Sequence, residues 1–315
     1  MADDRFRSVV VVGTGMMGPG IAAAMAAGGL ETTILSRSEA GASAGLESAR
    51  AHVSLLARHG LLDGAAASRA SGLLRGAHSF EDAIGGADIV IESAPEDLRF
   101  KQDLFSRLDS VARPGAVLAS NTSGLSITAI AQRCAHPERV LTTHFWNPPH
   151  LIPLVEVVKG ERTADEVARE VHGLLAACGK TPVLVKKDRP GQIGNRLQMA
   201  LFREAISIVE EGIAEPEGVD LAARAGFGLR LPVYGILEHI DAVGLDLAGT
   251  VLDSVSRDIN NEPGMPRLMR EKIARGELGV KAGRGFYDWS RKDFAELRAR
   301  RDEFVLEFLK SKHRR

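Results

Sequence analysis

The chain of 315 residues has no apolar run long enough to cross a bilayer, and its charged opening, MADDRFR, lacks the features of a secretory leader. A membrane partner is therefore not expected, and a reducing cytoplasm is the natural compartment. Cysteine is almost missing. Cys134 and Cys178 stand alone, without metal-ligand spacing and without the paired framework of a disulfide scaffold, so no metal site is expected and both read as small core residues. A surplus of charge of either sign is missing too. With 40 basic and 41 acidic residues the net charge is −1, which excludes a general polyanion binder and argues against duplex nucleic acid as a partner.

What the chain does contain is the balance of a soluble globular protein, 44% hydrophobic and 26% charged, at a length that calls for two domains. The first half alternates strand and helix patterns. Strand-like runs are SVVVVG (8–13), TTILS (32–36), ADIVIES (87–93), AVLAS (116–120), VLTTHF (140–145), LVEVV (154–158) and TPVLVKK (181–187). Helical patterns fall between them at 19–27, 49–62, 98–111 and 127–134. This alternation predicts a doubly wound α/β domain of the Rossmann type over residues 1–187. Beyond residue 187 the strand signal stops. Ile193, Leu197, Leu201, Ile208 and Gly212 recur at helical spacing, and further helical stretches cover 217–226, 230–243, 245–259, 264–275 and 291–311. Residues 188–315 are therefore expected to form an all-α domain, whose long apolar helices favour a homodimer.

Gly13, Gly15 and Gly18 form GTGMMG at the point where the first strand passes into the first helix, with Met16 and Met17 between the last two glycines. Glycines at this spacing allow a tight turn, close approach of the backbone to a pyrophosphate, and close packing of helix on strand. The helix N-terminus then offers N–H donors to the anion. A dinucleotide site specific for NAD usually carries an acidic residue at the end of the second strand, to accept from the ribose 2′-OH. Here that place is taken by Ser36 and Arg37, which can donate to a 2′-phosphate, so NADP or dual use is favoured over strict NAD. The alternative is that Arg37 lies over the adenine or in solvent while NAD is accepted.

The segment from Ser120 to Glu156 carries the chemistry. Glu156 is a lone carboxylate inside the β-branched run LVEVV, and a buried charge is costly unless paired. His144, upstream in the same segment, is the candidate partner. A carboxylate that fixes one imidazole tautomer and stabilises the imidazolium makes a working general base. The plainer alternative places Glu156 at a solvated strand edge and His144 in the core.

With these residues in view, the chain resembles the 3-hydroxyacyl-CoA dehydrogenase family. The resemblance rests on VVGTGMMGPGIA, ESAPEDLRFKQDLFSRLD, SNTSGLSIT, HFWNPPHLIPLVEVVKG, GKTPVLVKKDRPGQIGNRL and KAGRGFYDW, in the family's order from Val10 to Trp289. It implies a Rossmann-like domain followed by a helical dimerisation domain, and hydride transfer between C3 of a 3-hydroxyacyl substrate and a nicotinamide. His144 matches the general base, Glu156 its orienting carboxylate, Ser123 the serine that hydrogen-bonds the reacting oxygen, and Asn195 the asparagine beside it. Glu96 and Lys101 match cofactor-side positions in the helix that follows strand 87–93, and Asn121, in SNTS, is placed with them. Two departures bear on the substrate. WNPPH replaces the segment usual in fatty-acyl members and looks like relatives that act on gulonate or carnitine, which are not thioesters. The stretch 38–78, where acyl-CoA members clasp CoA, contains no lysine and only Arg50, Arg58, Arg69 and Arg75. Trp146 is expected either to line a substrate pocket or to pack between the domains. The β-hydroxyacid dehydrogenases with a catalytic lysine are disfavoured, because Gly191 stands one helical turn before Asn195.

Overall fold

The structure, a computed structural model, describes residues 5–313, so the first four residues of the charged opening lie outside the described residues. Eight strands form one sheet: β1 (Ser8–Val12), β2 (Glu31–Leu35), β3 (Leu74–Ala77), β4 (Ile89–Glu92), β5 (Val117–Ser120), β6 (Val140–Phe145), β7 (Leu154–Lys159) and β8 (Thr181–Val185). Their order is β3-β2-β1-β4-β5-β6-β7-β8. All neighbours run parallel except β6 and β7, which are antiparallel. From β1 the chain proceeds outward through β2 and β3, then returns to the other side of β1 with β4. That reversal is the topological switch point, and the crevice outside the carboxyl ends of β1 and β4 is where such sheets bind ligands.

The β-branched runs are continuous because both faces of the sheet are covered. On one face Val9 and Val11 pack with Ile21 and Met25 of α1 (Gly18–Ala27), with Ala49 and Val53 of α2 (Glu39–Arg58), and with Ala70 of α3 (Gly64–Leu73). Val10 and Val90 turn to the other face. There they meet Ile84 of α4 (Phe80–Gly85), Phe105 and Leu108 of α5 (Leu98–Val111), and Ile127 and Ile130 of α6 (Ile127–Ile130). Phe105 has no exposed surface, and its truncation to alanine is worth about 3–5 kcal/mol. Nine of the ten residues of α1 are buried, and the sequence GPGIAAAMAA explains how. Small side chains let the helix lie close under α2 and α3 on one side and against the sheet on the other, which leaves little room for anything larger.

The stretch 38–78 is more regular than its composition suggests. Ser38 caps α2 by accepting from the Gly41 amide, so the helix begins ten residues before the predicted start at residue 49. Gly45 is forced by packing, since a Cβ there would lie 2.6 Å from Thr14 Cγ2. α3 and the short edge strand β3 follow, and neither has a clear apolar period in the sequence. α7 (Asp165–Ala177) joins β7 to β8. Both cysteines are free. Burial pushes the Cys134 thiol up to about 12 and the Cys178 thiol up to about 11, so neither is a nucleophile.

The remaining helices are α8 (Gly194–Glu210), α9 (Pro216–Ala225), α10 (Ile236–Val243), α11 (Leu245–Val255), α12 (Arg267–Ala274) and α13 (Phe294–His313). Residues up to Asn195, together with the chain from Arg300 onward, make one compact unit, and Arg196–Ala299 makes the other. The division therefore falls eight residues later than the expected 187/188, and the end of α13 returns to the first unit. Side chains account for both shifts. Glu156 and the Ser123 carbonyl hold residues 193–195 to the sheet, and Leu306 packs with Leu56 and Leu151. Within Arg196–Ala299 only Ser207 is buried, while Leu197, Leu229, Val233, Leu237 and Leu245 are exposed. Among the described residues no helix is long and apolar enough to cross a membrane.

Candidate active site

The antiparallel pairing of β6 with β7 sets His144 directly opposite Glu156. Both are buried, and Nδ1 of His144 lies 2.8 Å from Oε2 of Glu156. The same oxygen accepts from the indole Nε1 of Trp146 at 3.1 Å. The other carboxylate oxygen, Oε1, accepts from the backbone amides of Ile193 at 2.7 Å and Gly194 at 2.9 Å. Burial opposes ionisation of this carboxyl, but the donors His144, Gly194, Ile193 and Trp146 outweigh it and bring its pKa down to about 2. Glu156 is thus a fixed anion in the core of the sheet. The imidazole, held through Nδ1, has Nε2 without a partner among the described residues. An imidazole in this setting can take up a proton at Nε2 and be stabilised as the cation, as a general base requires.

The second group of residues gathers on the loop after β5. Glu96 lies ahead of α5, not within the helix as expected. Its Oε1 accepts from the Thr122 hydroxyl at 2.5 Å and from the amides of Ser123 and Gly124, each at 3.1 Å. Burial works against its charge, but Thr122, Lys101 and the two amides together hold its pKa below the usual carboxylate range. From the other side Asn195 Nδ2 donates to the Ser123 carbonyl at 3.2 Å. Ser123 itself is exposed, and its hydroxyl bonds to none of the described residues. Asn121 has a framework part in the structure: its Oδ1 accepts from the Phe145 amide at 2.8 Å, tying this loop to the end of β6 beside His144.

Lys101 also departs from expectation. Its side chain is buried, and Nζ lies 2.6 Å from Glu92 Oε1 and 3.5 Å from Glu96 Oε2, so it serves the protein's own carboxylates and is not open to a ligand. Glu92 has no exposed surface. It also accepts from the Ala94 amide and, at 2.6 Å, from the Ser120 hydroxyl. Sequence reasoning missed Glu92 and Ser120, although the signal was the one that found Glu156: a single carboxylate in a β-branched run, here IVIE.

The glycine loop has the form a dinucleotide needs. Gly13, at φ 113°, would place a Cβ 2.5 Å from the Ser93 carbonyl at the end of β4, and a Cβ on Gly18 would lie 1.9 Å from the Gly13 carbonyl. Gly15 is the opposite case. A Cβ there would meet nothing within 4 Å, so its backbone is bare. Met17, at the N-cap of α1, offers no side-chain acceptor, and the first turn carries no acid, which leaves the amides and the positive end of the helix dipole for an anion. Met16 is exposed beside them. These features fit a bound pyrophosphate. At the end of β2 Ser36 is half-buried. Arg37 is exposed and forms no ion pair with any described residue. Among the described residues no cluster of three or more His, Cys, Asp or Glu side chains could hold a metal ion.

Known proteins are similar to this chain in sequence and fold. The family model for the 3-hydroxyacyl-CoA dehydrogenase NAD binding domain matches residues 8–189, and that for the 3-hydroxyacyl-CoA dehydrogenase C-terminal domain matches residues 191–289. A 5-formyl-3-hydroxy-2-methylpyridine 4-carboxylate 5-dehydrogenase from Mesorhizobium japonicum is 35% identical over 298 residues, which is 94% of each chain. A solved structure of a dehydrogenase for that same pyridine carboxylate, described as an NAD+ dependent dismutase, superposes with a TM-score of 0.89 at 32% identity and covers 96% of this chain and 97% of its own. The (S)-3-hydroxybutyryl-CoA dehydrogenase PaaH1 of Ralstonia eutropha gives 0.76 at 33% identity, covering 91% of this chain and 100% of its own. The chain belongs to the 3-hydroxyacyl-CoA dehydrogenase family, whose members are NAD-binding oxidoreductases acting on hydroxyl groups.

Proposed function

We propose that this protein interconverts the hydroxyl and carbonyl forms of a small carboxylated substrate, with His144 as the general base and acid. The observation that carries the reading is Glu156, a buried anion satisfied by four donors, one of which is His144 Nδ1 at 2.8 Å. In the oxidation direction Nε2 of His144 takes the hydroxyl proton while Glu156 stabilises the imidazolium. Ser123 and Asn195 hydrogen-bond the reacting oxygen, and protonated His144 returns the proton to that oxygen in reduction. The nicotinamide, when bound, supplies the hydride acceptor. Gly13, Gly15 and Gly18 with the start of α1 would hold its pyrophosphate, and Arg37 would meet a 2′-phosphate, which supports use of NADP alongside NAD.

Two substrate classes compete. A small free acid is favoured by the closer superposition with the pyridine-carboxylate dehydrogenase, 0.89 against 0.76 for the acyl-CoA enzyme. In the 38–78 stretch Arg75 donates to the carbonyls of its own segment at Gly72 and Leu74, which leaves only Arg50, Arg58 and Arg69, all exposed, for the phosphates of CoA. A 3-hydroxyacyl-CoA thioester is the second reading, favoured by the family itself. Initial rates with 3-hydroxybutyryl-CoA, longer acyl-CoAs, gulonate, carnitine and aromatic hydroxy acids, each with NAD and NADP, separate the two. Turnover confined to the thioesters overturns the small-acid reading, and a strong preference for NAD overturns the role given to Arg37. The exposed apolar residues of Arg196–Ala299 support a homodimer, for which light scattering should give twice 33.7 kDa.

A further inference from the structure

We propose that Trp146 is a positioning residue of the reaction, and that its indole N–H, by sharing the Glu156 oxygen that holds His144, limits how strongly that carboxylate draws a proton onto the imidazole. The proposal rests on His144 being the acid–base group and adds a second side chain that tunes it.

Trp146 is neither a plain pocket wall nor simple packing. A half-buried indole still favours an acceptor for its N–H, and a backbone carbonyl would satisfy that need. Here the acceptor is Oε2 of Glu156, at 3.1 Å, the same atom that lies 2.8 Å from His144 Nδ1. The ring is fixed as well as its nitrogen. It lies against Gly194 so closely that a Cβ at that position would fall 2.4 Å from Trp146 Cζ2, and its centroid is 5.6 Å from that of His144. Gly194 also gives its amide to Oε1 of the same carboxylate. One residue, opening α8, therefore seats both the carboxylate and the indole.

Donors on one carboxylate compete for its charge. Each additional N–H on Glu156 lowers its basicity, and with it the pull on the imidazolium opposite. Two donors on Oε1 and two on Oε2 leave little of that charge unshared. Among the described residues no other charged side chain bonds to the pair. β5 and β8 carry no titratable residue, β6 only His144, and β7, besides Glu156, only Lys159, which is bonded to Asp165. The 121–125 loop and residues 190–195 carry none either, and Glu92 and Glu96 are committed to Lys101 and to the loop after β5. Trp146 is the adjustable neighbour.

Trp146→Phe keeps a ring against Gly194 and removes the donor. The sulfur isostere of tryptophan, in which the ring N–H is replaced by S, keeps the full bicyclic shape and guards against misfolding of the phenylalanine variant. With the donor gone, Glu156 binds the imidazolium more tightly. Oxidation needs the neutral imidazole, so the acid limb of kcat/KM should move upward by about half a unit to one unit. Each variant's rate on that limb, relative to its own high-pH plateau, then falls about 3–10-fold. A limb that stays in place in both replacements overturns the proposal, and so does a downward shift. Loss of turnover in His144→Gln with an unmoved limb in the Trp146 variants removes the tryptophan's role alone. Retained turnover in His144→Gln removes the reading on which it stands.

Discussion

Replacing Glu156 by glutamine should do more than remove a charge, because every group that touches this carboxylate is a donor. Oε1 faces two backbone amides, and Oε2 faces His144 Nδ1 and the Trp146 indole N–H. A carboxamide has one accepting oxygen and one donating nitrogen. If its NH2 points to Ile193 and Gly194, two amide donors lose their acceptor. If it points the other way, Trp146 loses its acceptor and Nδ1 of His144 must become an acceptor, which puts the proton on Nε2, the atom that has to be free to take one. Each orphaned buried donor costs roughly 1–3 kcal/mol, and the second orientation orphans only one, so the variant should lose about 1–3 kcal/mol of stability. Turnover should fall about 10²–10⁴-fold, the range general acid–base catalysis supplies. The loss has a pH signature. A carboxyl whose pKa drops from 4.5 to about 2 on folding stabilises the native state above pH 4.5, by about 3 kcal/mol, and that contribution disappears as pH falls toward 2. The stability gap between native protein and variant, read from urea midpoints, should therefore narrow below pH 4.5. A gap that stays constant down to pH 2.5, or a variant within tenfold of native turnover, refutes this account of Glu156.

Other perturbations test the surrounding parts. Gly18→Ala places a methyl 1.9 Å from the Gly13 carbonyl, so the phosphate turn must open, and NAD affinity by calorimetry should fall at least tenfold. Lys101→Met leaves Glu92 buried and unpaired, which should cost about 3–5 kcal/mol in thermal or urea unfolding. Replacing Lys101 and Glu92 together by Met and Leu should recover much of that loss, and a double variant no more stable than the single one would contradict the pairing.

The sheet and the pairing of His144 with Glu156 were legible in the sequence for one reason: both rest on local patterns. Seven of the eight strands are β-branched or apolar runs, and a carboxylate inside one of them, Glu156, cannot hide. β3 was illegible because LRGA pairs only at the sheet edge and needs no apolar alternation. The start of α2 was illegible because its first turns are built of Gly, Ala and Ser, whose place is fixed by contacts such as Gly45 on Thr14. The partners of Lys101 and Asn121 within the protein could not be read, because sequence order gives the neighbourhood and not the direction of a side chain. Lys101 points back to Glu92, and Asn121 to the Phe145 amide. The indole of Trp146 on Glu156 was out of reach for the same reason, since sequence order does not give the direction of the ring and Gly194, against which it lies, comes from a distant part of the chain.

The account stands on His144 as the group that moves the substrate proton. His144→Gln, assayed with whichever substrate the kinetic panel identifies and titrated with NAD by fluorescence, tests it directly. Turnover should fall by at least about 100-fold while the affinity for NAD stays within a few-fold of native, because the glycine loop and α1 are untouched. Retention of more than a tenth of the native rate would contradict the claim.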